Sequence, residues 1–494
     1  MANPKPCWEC AKRRLVCDFG RPRCRKCQTR NVQCPGYDDK KPLTWLAPGQ
    51  TRSKGRRART ESNVIRLSLK DSSEATTFFE AIEYFNVRIC PDLIATGRGD
   101  DPKGPLFVPI ESTPHLPANI RHTLVSIALS HRILQFKDGF ESDRAALLTK
   151  LQTHRGSAIR HLALQLKTGA QASGVTLASV LVFLFAEISH TLSPDWRYHC
   201  DAVYAVVDML GGMPTVVLCQ PIIRYLLCYF VLVDVMGGTT SPSIDPNRAR
   251  RHVELMNLLP AFYGHGLSTT IPCPPHLLSE IISINTLRSQ KDAIIPLGTD
   301  HNTAAFDILR RVACFSAEKW AKDIGLEEEG DSDSKKTQQR IESWDWQTLA
   351  HAYQSAVALY CISSLLDVDE ISTTPSTAMS GQVESHADIA LLKSTYRDLL
   401  LRNLNAIASN SECQLRKLVF WPLVIGGIEI DSDDNMSKDF ILGELAWMSK
   451  ALGTASPLVA KDLLRKVWSS PHGSKGGSVK NWDSLFDRPY VFVL

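Results

Sequence analysis

Six cysteines crowd the first 34 residues, and their spacing is that of metal ligands. Cys7-x2-Cys10-x6-Cys17 recurs 17 residues on as Cys24-x2-Cys27-x6-Cys34. A C-x-x-C pair sets two thiolates on one tetrahedral metal, with the turn between them closing on the ion. The third cysteine of each lobe suits the far end of a short helix that starts at the second. Each lobe then offers three sulfurs where zinc needs four, so two separate sites would both stay open. Sharing closes the count: two ions need eight bonds, and six cysteines supply eight when two of them bridge. By symmetry the bridging candidates are the first cysteine of each lobe, Cys7 and Cys24. Six thiolates and two Zn²⁺ sum to about −2, which neighbouring Arg and Lys offset.

The residues between these cysteines are basic. Lys12, Arg13 and Arg14 follow Cys10, whereas the second lobe carries Arg30 between its last two cysteines, amid Gln28, Thr29 and Asn31. Residues 1–59 hold 16 Lys and Arg against 4 Asp and Glu; of the chain's 56 and 52, the remaining 435 residues keep 40 and 48. A basic head on a mildly acidic body predicts a polyanion partner for the head alone. The charge asymmetry between lobes makes the first helix the better candidate for the major groove. Arg21, Arg23, Arg25, Lys26 and Arg30 would add phosphate contacts, which set affinity and salt dependence without reading sequence.

The run CWECAKRRLVCDFGRPRCRKCQTRNVQC resembles the fungal binuclear zinc cluster family. That family spaces its ligands C-x2-C-x6-C, a variable loop, C-x2-C and a last cysteine six to eight residues on. Pro22 lies in the loop, as is usual there. The resemblance implies two zinc ions shared through Cys7 and Cys24, one completed by Cys10 and Cys17, the other by Cys27 and Cys34. It also implies that Arg14, four positions after the second cysteine, reads guanines of a CGG-like triplet. A bidentate Arg–guanine pair is worth about 1–3 kcal/mol of discrimination. Lys12 and Arg13 are then phosphate or supporting contacts. The chain departs from the family at Ala11 and Val16, where basic residues are common. The alternative reading is a zinc module that binds RNA or docks protein without reading DNA sequence; it predicts weak, salt-insensitive duplex binding.

Behind the head, Pro35 and Gly36 break any helix, and residues 37–71 read as a basic flexible linker. Its run Arg52, Lys54, Arg56, Arg57, Arg59 has the composition of a nuclear localisation signal or of a DNA-contacting tail. No sustained heptad covers 60–95, so monomeric binding and a homodimer formed through the body both stay open. The expected division is a binuclear zinc cluster domain at 1–36, the linker at 37–71 and an all-α regulatory domain at 72–494.

Within the body, apolar faces at helical spacing are Phe78, Phe79, Ile82, Phe85, Ile89; Leu124, Ile127, Ala128, His131, Leu134; and Ile159, Leu162, Ala163, Leu166. Further helices are expected at 175–190, 198–210, 221–236, 304–321, 349–366, 386–407, 418–428 and 438–452, with Gly211-Gly212 and Gly237-Gly238 as C-caps. The runs Val175–Ala186 and Tyr225–Val233, closed by Glu187 and Asp234, are too short to span a bilayer and read as buried helices, so no membrane partner is expected. Gly97–Pro105, Glu327–Lys336 and Asp367–Glu384 read as surface loops. The acidic cluster inside the second is a solvated loop first and an activation patch second.

The body has no GxSxG, HExxH, P-loop or Gly-rich dinucleotide turn, so it is not expected to be an enzyme. His131, His190 and His199 read as core or boundary histidines. Trp196–His199, Leu210-Gly211-Gly212, Ala356–Tyr360, Phe420–Leu423 and Gly426-Gly427 resemble the helical regulatory domain found behind many fungal zinc clusters. Together these readings predict a nuclear, RNA polymerase II-type fungal transcription factor that binds CGG-like sites in double-stranded DNA. The resemblance further implies co-regulators or the transcription machinery as partners and a metabolic or secondary-metabolite gene set as target.

Overall fold

The computed structural model describes residues 6–13, 15–37, 73–93, 106–135, 141–167, 173–190, 196–220, 223–242, 244–263, 273–290, 301–329, 343–366, 386–410, 414–469 and 481–493. The chain divides into two compact units, Met1–Val64 and Ile65–Leu494, and no strand occurs among the described residues. Arg14, the basic run 52–59 and the predicted loops 97–105 and 367–384 lie outside the described residues.

Among its described residues the first unit holds two short helices, α1 (Trp8–Lys12) and α2 (Arg25–Thr29), around a core of cysteines. The second begins with α3 (Glu74–Tyr84), which Ser73 caps through its hydroxyl and which runs on as a π-helical turn, Phe85–Ile89. Next come α4 (Ala118–Leu134) and α5 (Glu141–Lys167), which pack along each other, and α6 (Gly174–His190). Of the predicted face on α3, Phe78 and Ile82 are buried but Phe79 is exposed. Of the predicted stripe on α5, Leu162 is buried but Ile159 and Leu166 are exposed; the inward face is Leu147, Leu151, Ala158 and Leu162, at steps of four and seven. One residue is about 100° around a helix, so a stripe set one position off faces solvent.

The chain continues through α7 (Trp196–Met209), α8 (Met213–Cys219), α9 (Arg224–Thr239), α10 (Pro246–Met256) and α11 (Pro275–Gln290). Gly211 and Gly212, at φ +95° and +89°, end α7 as expected. Gly237 and Gly238 do not cap anything; they lie inside α9. Their role is close approach, since a Cβ at 237 would stand 2.3 Å from Trp196 and one at 238 would stand 2.9 Å from Asn285.

The helix predicted over 304–321 is two, α12 (His301–Ala313) and α13 (Ala317–Glu329). The hydroxyl of Ser316 accepts from Lys319 N–H at 3.2 Å and starts the second. Helix α13 also takes in residues 327–329, the beginning of the predicted acidic loop. The next helix, α14 (Ser343–Leu365), is buried on nearly every side and packs against α11, α12, α13 and α15 (His386–Ser409). A helix apolar all round belongs at the centre of a core. The last helices are α16 (Phe420–Glu429), α17 (Asn435–Leu452) and α18 (Ser456–Ser469).

Charges that end the two apolar runs are buried and paired rather than solvated. Glu187 accepts two hydrogen bonds of 2.7 Å from Arg155. Asp234, fully buried, accepts from Tyr204 at 2.8 Å and from His252 at 2.7 Å and also pairs with Arg248. No single described helix is long and apolar enough to cross a membrane. Sequence periodicity missed the C-terminal segment, which is inserted into the core. Tyr490 N–H donates to Thr240 O at 3.0 Å, and Trp482 Nε1 donates to Thr239 O at 2.7 Å.

Candidate metal centre and nucleic-acid interface

Each lobe of the head is built in the same way. Cys7 and Cys24 stand at the N-caps of α1 and α2 in extended conformation, at φ/ψ of −61°/151° and −70°/147°. Their sulfurs accept from the N–H of Cys10 at 3.5 Å and of Cys27 at 3.4 Å, three residues on. Thus each C-x-x-C is itself the first turn of a helix. After each helix the chain folds back, with Leu15 N–H on Cys10 O and Val32 N–H on Cys27 O, both at 3.0 Å.

This corrects the expected place of the third cysteine. Helix α1 stops at Lys12 and α2 at Thr29, so Cys17 and Cys34 lie beyond the helices. Seven residues of helix would rise about 10 Å and carry Cys17 too far from Cys10 to share an ion.

The six sulfurs fall into two groups of four. Cys7, Cys10, Cys17 and Cys24 form one and Cys7, Cys24, Cys27 and Cys34 the other, with all sulfurs of a group within 4.8 Å of one another. Cys7 Sγ is 3.7 Å from Cys24 Sγ and 3.8 Å from Cys27 Sγ, and Cys10 Sγ is 3.7 Å from Cys24 Sγ. A zinc–sulfur bond of about 2.3 Å makes the edge of a tetrahedron about 3.8 Å, so the donor set fits the ion. Burial pushes the thiols of Cys7 and Cys10 up and that of Cys27 up to about 12. Burial opposes the Cys17 thiolate too, but backbone N–H donors outweigh it and bring Cys17 down to about 7. Metal binding therefore displaces protons from this core.

Two residues that sequence reading did not single out close the head. Tyr37 Oη donates to Gly20 O at 2.8 Å and lies 3.9 Å from Cys17 Sγ. Asp18 accepts from Arg25 N–H at 3.0 Å at the start of α2, and that bond holds its carboxyl below the ordinary value. Nothing in the type or spacing of Tyr37 marks it in advance; Asp18, seven residues before a helix start, is equally silent.

Around this core Lys12, Arg13, Arg21, Arg23, Arg25, Lys26 and Arg30 are all exposed. Lys12 lies on α1 and Arg13 at its C-cap; Arg25 and Lys26 lie on α2 and Arg30 at its C-cap. Arg13 pairs with Glu9 at 2.6 Å, and the Arg21 guanidinium lies 5.9 Å from the centre of the Tyr37 ring.

Comparison with known proteins agrees with this geometry. Residues 5–44 match the fungal Zn(2)-Cys(6) binuclear cluster domain, and residues 80–493 match the fungal specific transcription factor domain. A cluster-specific transcriptional regulator of phomenoic acid biosynthesis from Leptosphaeria maculans is 29% identical over 99% of this chain and 89% of its own length. The arginine metabolism regulation protein II of Saccharomyces cerevisiae is 43% identical over 44 residues, 9% of this chain and 5% of its own. No solved structure matches. The head is thus a cluster that binds two zinc ions and DNA, and the body is of a regulatory, not an enzymatic, kind. The chain belongs to the fungal transcription factors that join an N-terminal Zn(2)-Cys(6) binuclear cluster to a fungal specific transcription factor domain.

Proposed function

We propose that this protein is a nuclear, sequence-specific regulator of RNA polymerase II transcription that reads CGG-like triplets in double-stranded DNA. The observation that carries the reading is the pair of four-sulfur groups sharing Cys7 and Cys24, ringed by exposed basic side chains. In this reading Cys7 and Cys24 bridge the ions, Cys10 and Cys17 complete one, and Cys27 and Cys34 complete the other. Arg14 takes the guanine acceptors. Lys12, Arg13, Arg21, Arg23, Arg25, Lys26 and Arg30 hold phosphates and give the binding its salt dependence. The head covers residues 1–36, a basic linker 37–71 and the regulatory body 72–494, the surface for co-regulators and for a second copy. The basic run Arg52–Arg59 supports nuclear import. The relative's biosynthetic cluster supports a metabolic or secondary-metabolite gene set as target.

The test is binding-site selection on random duplex DNA with the zinc-loaded protein and with Arg14→Ala. The wild type selects a CGG-like triplet and Arg14→Ala relaxes it. A selected motif without such a triplet overturns the reading, and an unchanged motif in the variant removes Arg14 from it.

A further inference from the structure

Among its described residues the second unit holds two apolar clusters rather than one. The smaller is built on α3, its π-helical extension, α4 and the first half of α5, and the larger on the second half of α5 and the helices from α6 onward. At their seam lies a cavity of about 320 Å³, with Phe85 and Ile127 on one side and Leu226 and Leu232 on the other. Protein interiors are close-packed, and voids beyond the size of a water molecule are few. A space of this volume is in the range that holds small ligands, and a wall this apolar gives water few partners. The π-helical turn Phe85–Ile89 supplies two of its lining residues, Phe85 and Ile89, and such turns concentrate at functional sites.

The polar groups on the wall are mostly committed. Tyr225 Oη donates to Leu93 O, Ser189 Oγ to Phe185 O and Thr454 Oγ1 to Ser189 O. Lys417, also on the wall, is engaged. His131 differs. The residue is 6% exposed, its Nδ1 lies 3.0 Å from Tyr84 Oη, and its Nε2 has no hydrogen bond among the described residues. When Tyr84 donates to Nδ1, the ring proton sits on Nε2 and offers a donor. Burial lowers the imidazole to about 4, so that donor is neutral. Gly453, left-handed at φ +61°, leaves room for it; a Cβ there would lie 2.6 Å from Nε2.

We propose that this cavity binds a lipophilic small molecule whose one acceptor oxygen, that of a ketone, ester or alcohol, is hydrogen-bonded by Nε2 of His131. The site is independent of the DNA reading, and its test needs no DNA. The zinc-loaded full chain is titrated with the neutral fluorophore N-phenyl-1-naphthylamine and competed with 2-undecanone, undecane and decanoate. The expected result is saturable binding of one probe per chain and displacement by the ketone about tenfold better than by the hydrocarbon, the worth of one hydrogen bond. His131→Phe makes ketone and hydrocarbon equal while the probe still binds. Ala178→Leu and Val182→Phe, which fill the cavity, weaken the probe at least about tenfold with helical content unchanged.

Non-saturable binding, undiminished binding in both filled variants, or equal competition by ketone and hydrocarbon in the wild type overturns the proposal. Stronger competition by decanoate overturns the assignment of His131, because a cation would then set the chemistry. Should both filled variants lose helix, the wild-type thermal midpoint decides: a rise with saturating ketone and none with undecane at the same concentration supports the site, and no rise with ketone overturns it.

Discussion

Gly237 lies directly against the indole of Trp196, with 2.3 Å between the position of a Cβ and the ring's Cη2. The contact joins α9 to the start of α7, where Trp196 Nε1 also reaches Pro489 O at 3.4 Å. Helix propensity alone favours Ala over Gly by about 1 kcal/mol, whereas forcing atoms into a packed core costs about 1–3 kcal/mol. Gly237→Ala should therefore lower stability by up to about 2 kcal/mol, read as a lower urea midpoint at unchanged slope. A midpoint at or above the wild-type value would mean that the indole moves aside freely.

Asp234 and its partners form a second test. Burial opposes its charge, but His252 first and then Arg248 hold its carboxyl below the ordinary carboxylate range. Asp234→Asn removes the charge and leaves Arg248, itself 9% exposed, with the largely exposed carboxylate of Asp201. Breaking a buried pair by removing one partner costs about 3–5 kcal/mol. Unfolding in urea should show a loss of that order, and a loss below about 1 kcal/mol would mean that water enters to solvate Arg248.

Zinc stoichiometry tests the sharing of sulfurs. A bridging ligand serves both ions and a terminal one serves a single ion. Cys10→Ala should keep about one zinc per chain, whereas Cys7→Ala and Cys24→Ala should keep less, measured by elemental analysis after dialysis. Equal retention in all three variants would contradict bridging by Cys7 and Cys24. Full chelation should abolish duplex binding, because structural zinc supplies the folding energy of such heads.

Acid should weaken the body before its carboxylates protonate. Burial lowers His122 and His131 to about 4. His122 also stands 2.9 Å from His154, Nδ1 to Nδ1, and that second imidazole is lowered as well. In the unfolded chain a histidine takes its proton near 6.5. Between about 6.5 and 4 the unfolded state thus binds more protons, so stability rises with pH across that window and falls on acidification. Urea midpoints from pH 7 to pH 4.5 should decline, and His122→Asn should flatten the decline. A pH-independent midpoint would show that these imidazoles are protonated in the folded protein.

The head was legible because metal coordination restricts both residue type and local spacing: six cysteines at these intervals admit few other chemistries. Less legible was the place of Cys17 and Cys34, since spacing does not say where a helix stops. On the body, hydrophobic periodicity located most helices from α6 onward, yet it misplaced the stripe on α5, joined α12 to α13 and read Gly237 and Gly238 as a cap. The two glycines depend on partners remote in the chain, Trp196 and Asn285, whereas the break between α12 and α13 is a local cap at Ser316 that apolar periodicity does not register.

The sequence by itself determined the zinc chemistry, the basic head and the all-helical character of the body, because these follow from residue type and from contacts a few positions apart. Only the tertiary structure decided that Glu187 and Asp234 are buried with partners, and that Arg288 reaches Asp483, 195 residues away. It also decided that a cavity opens between two apolar clusters. Pairing of buried charges and the fit of one core against another are properties of side chains brought together from distant segments, and no local pattern encodes them.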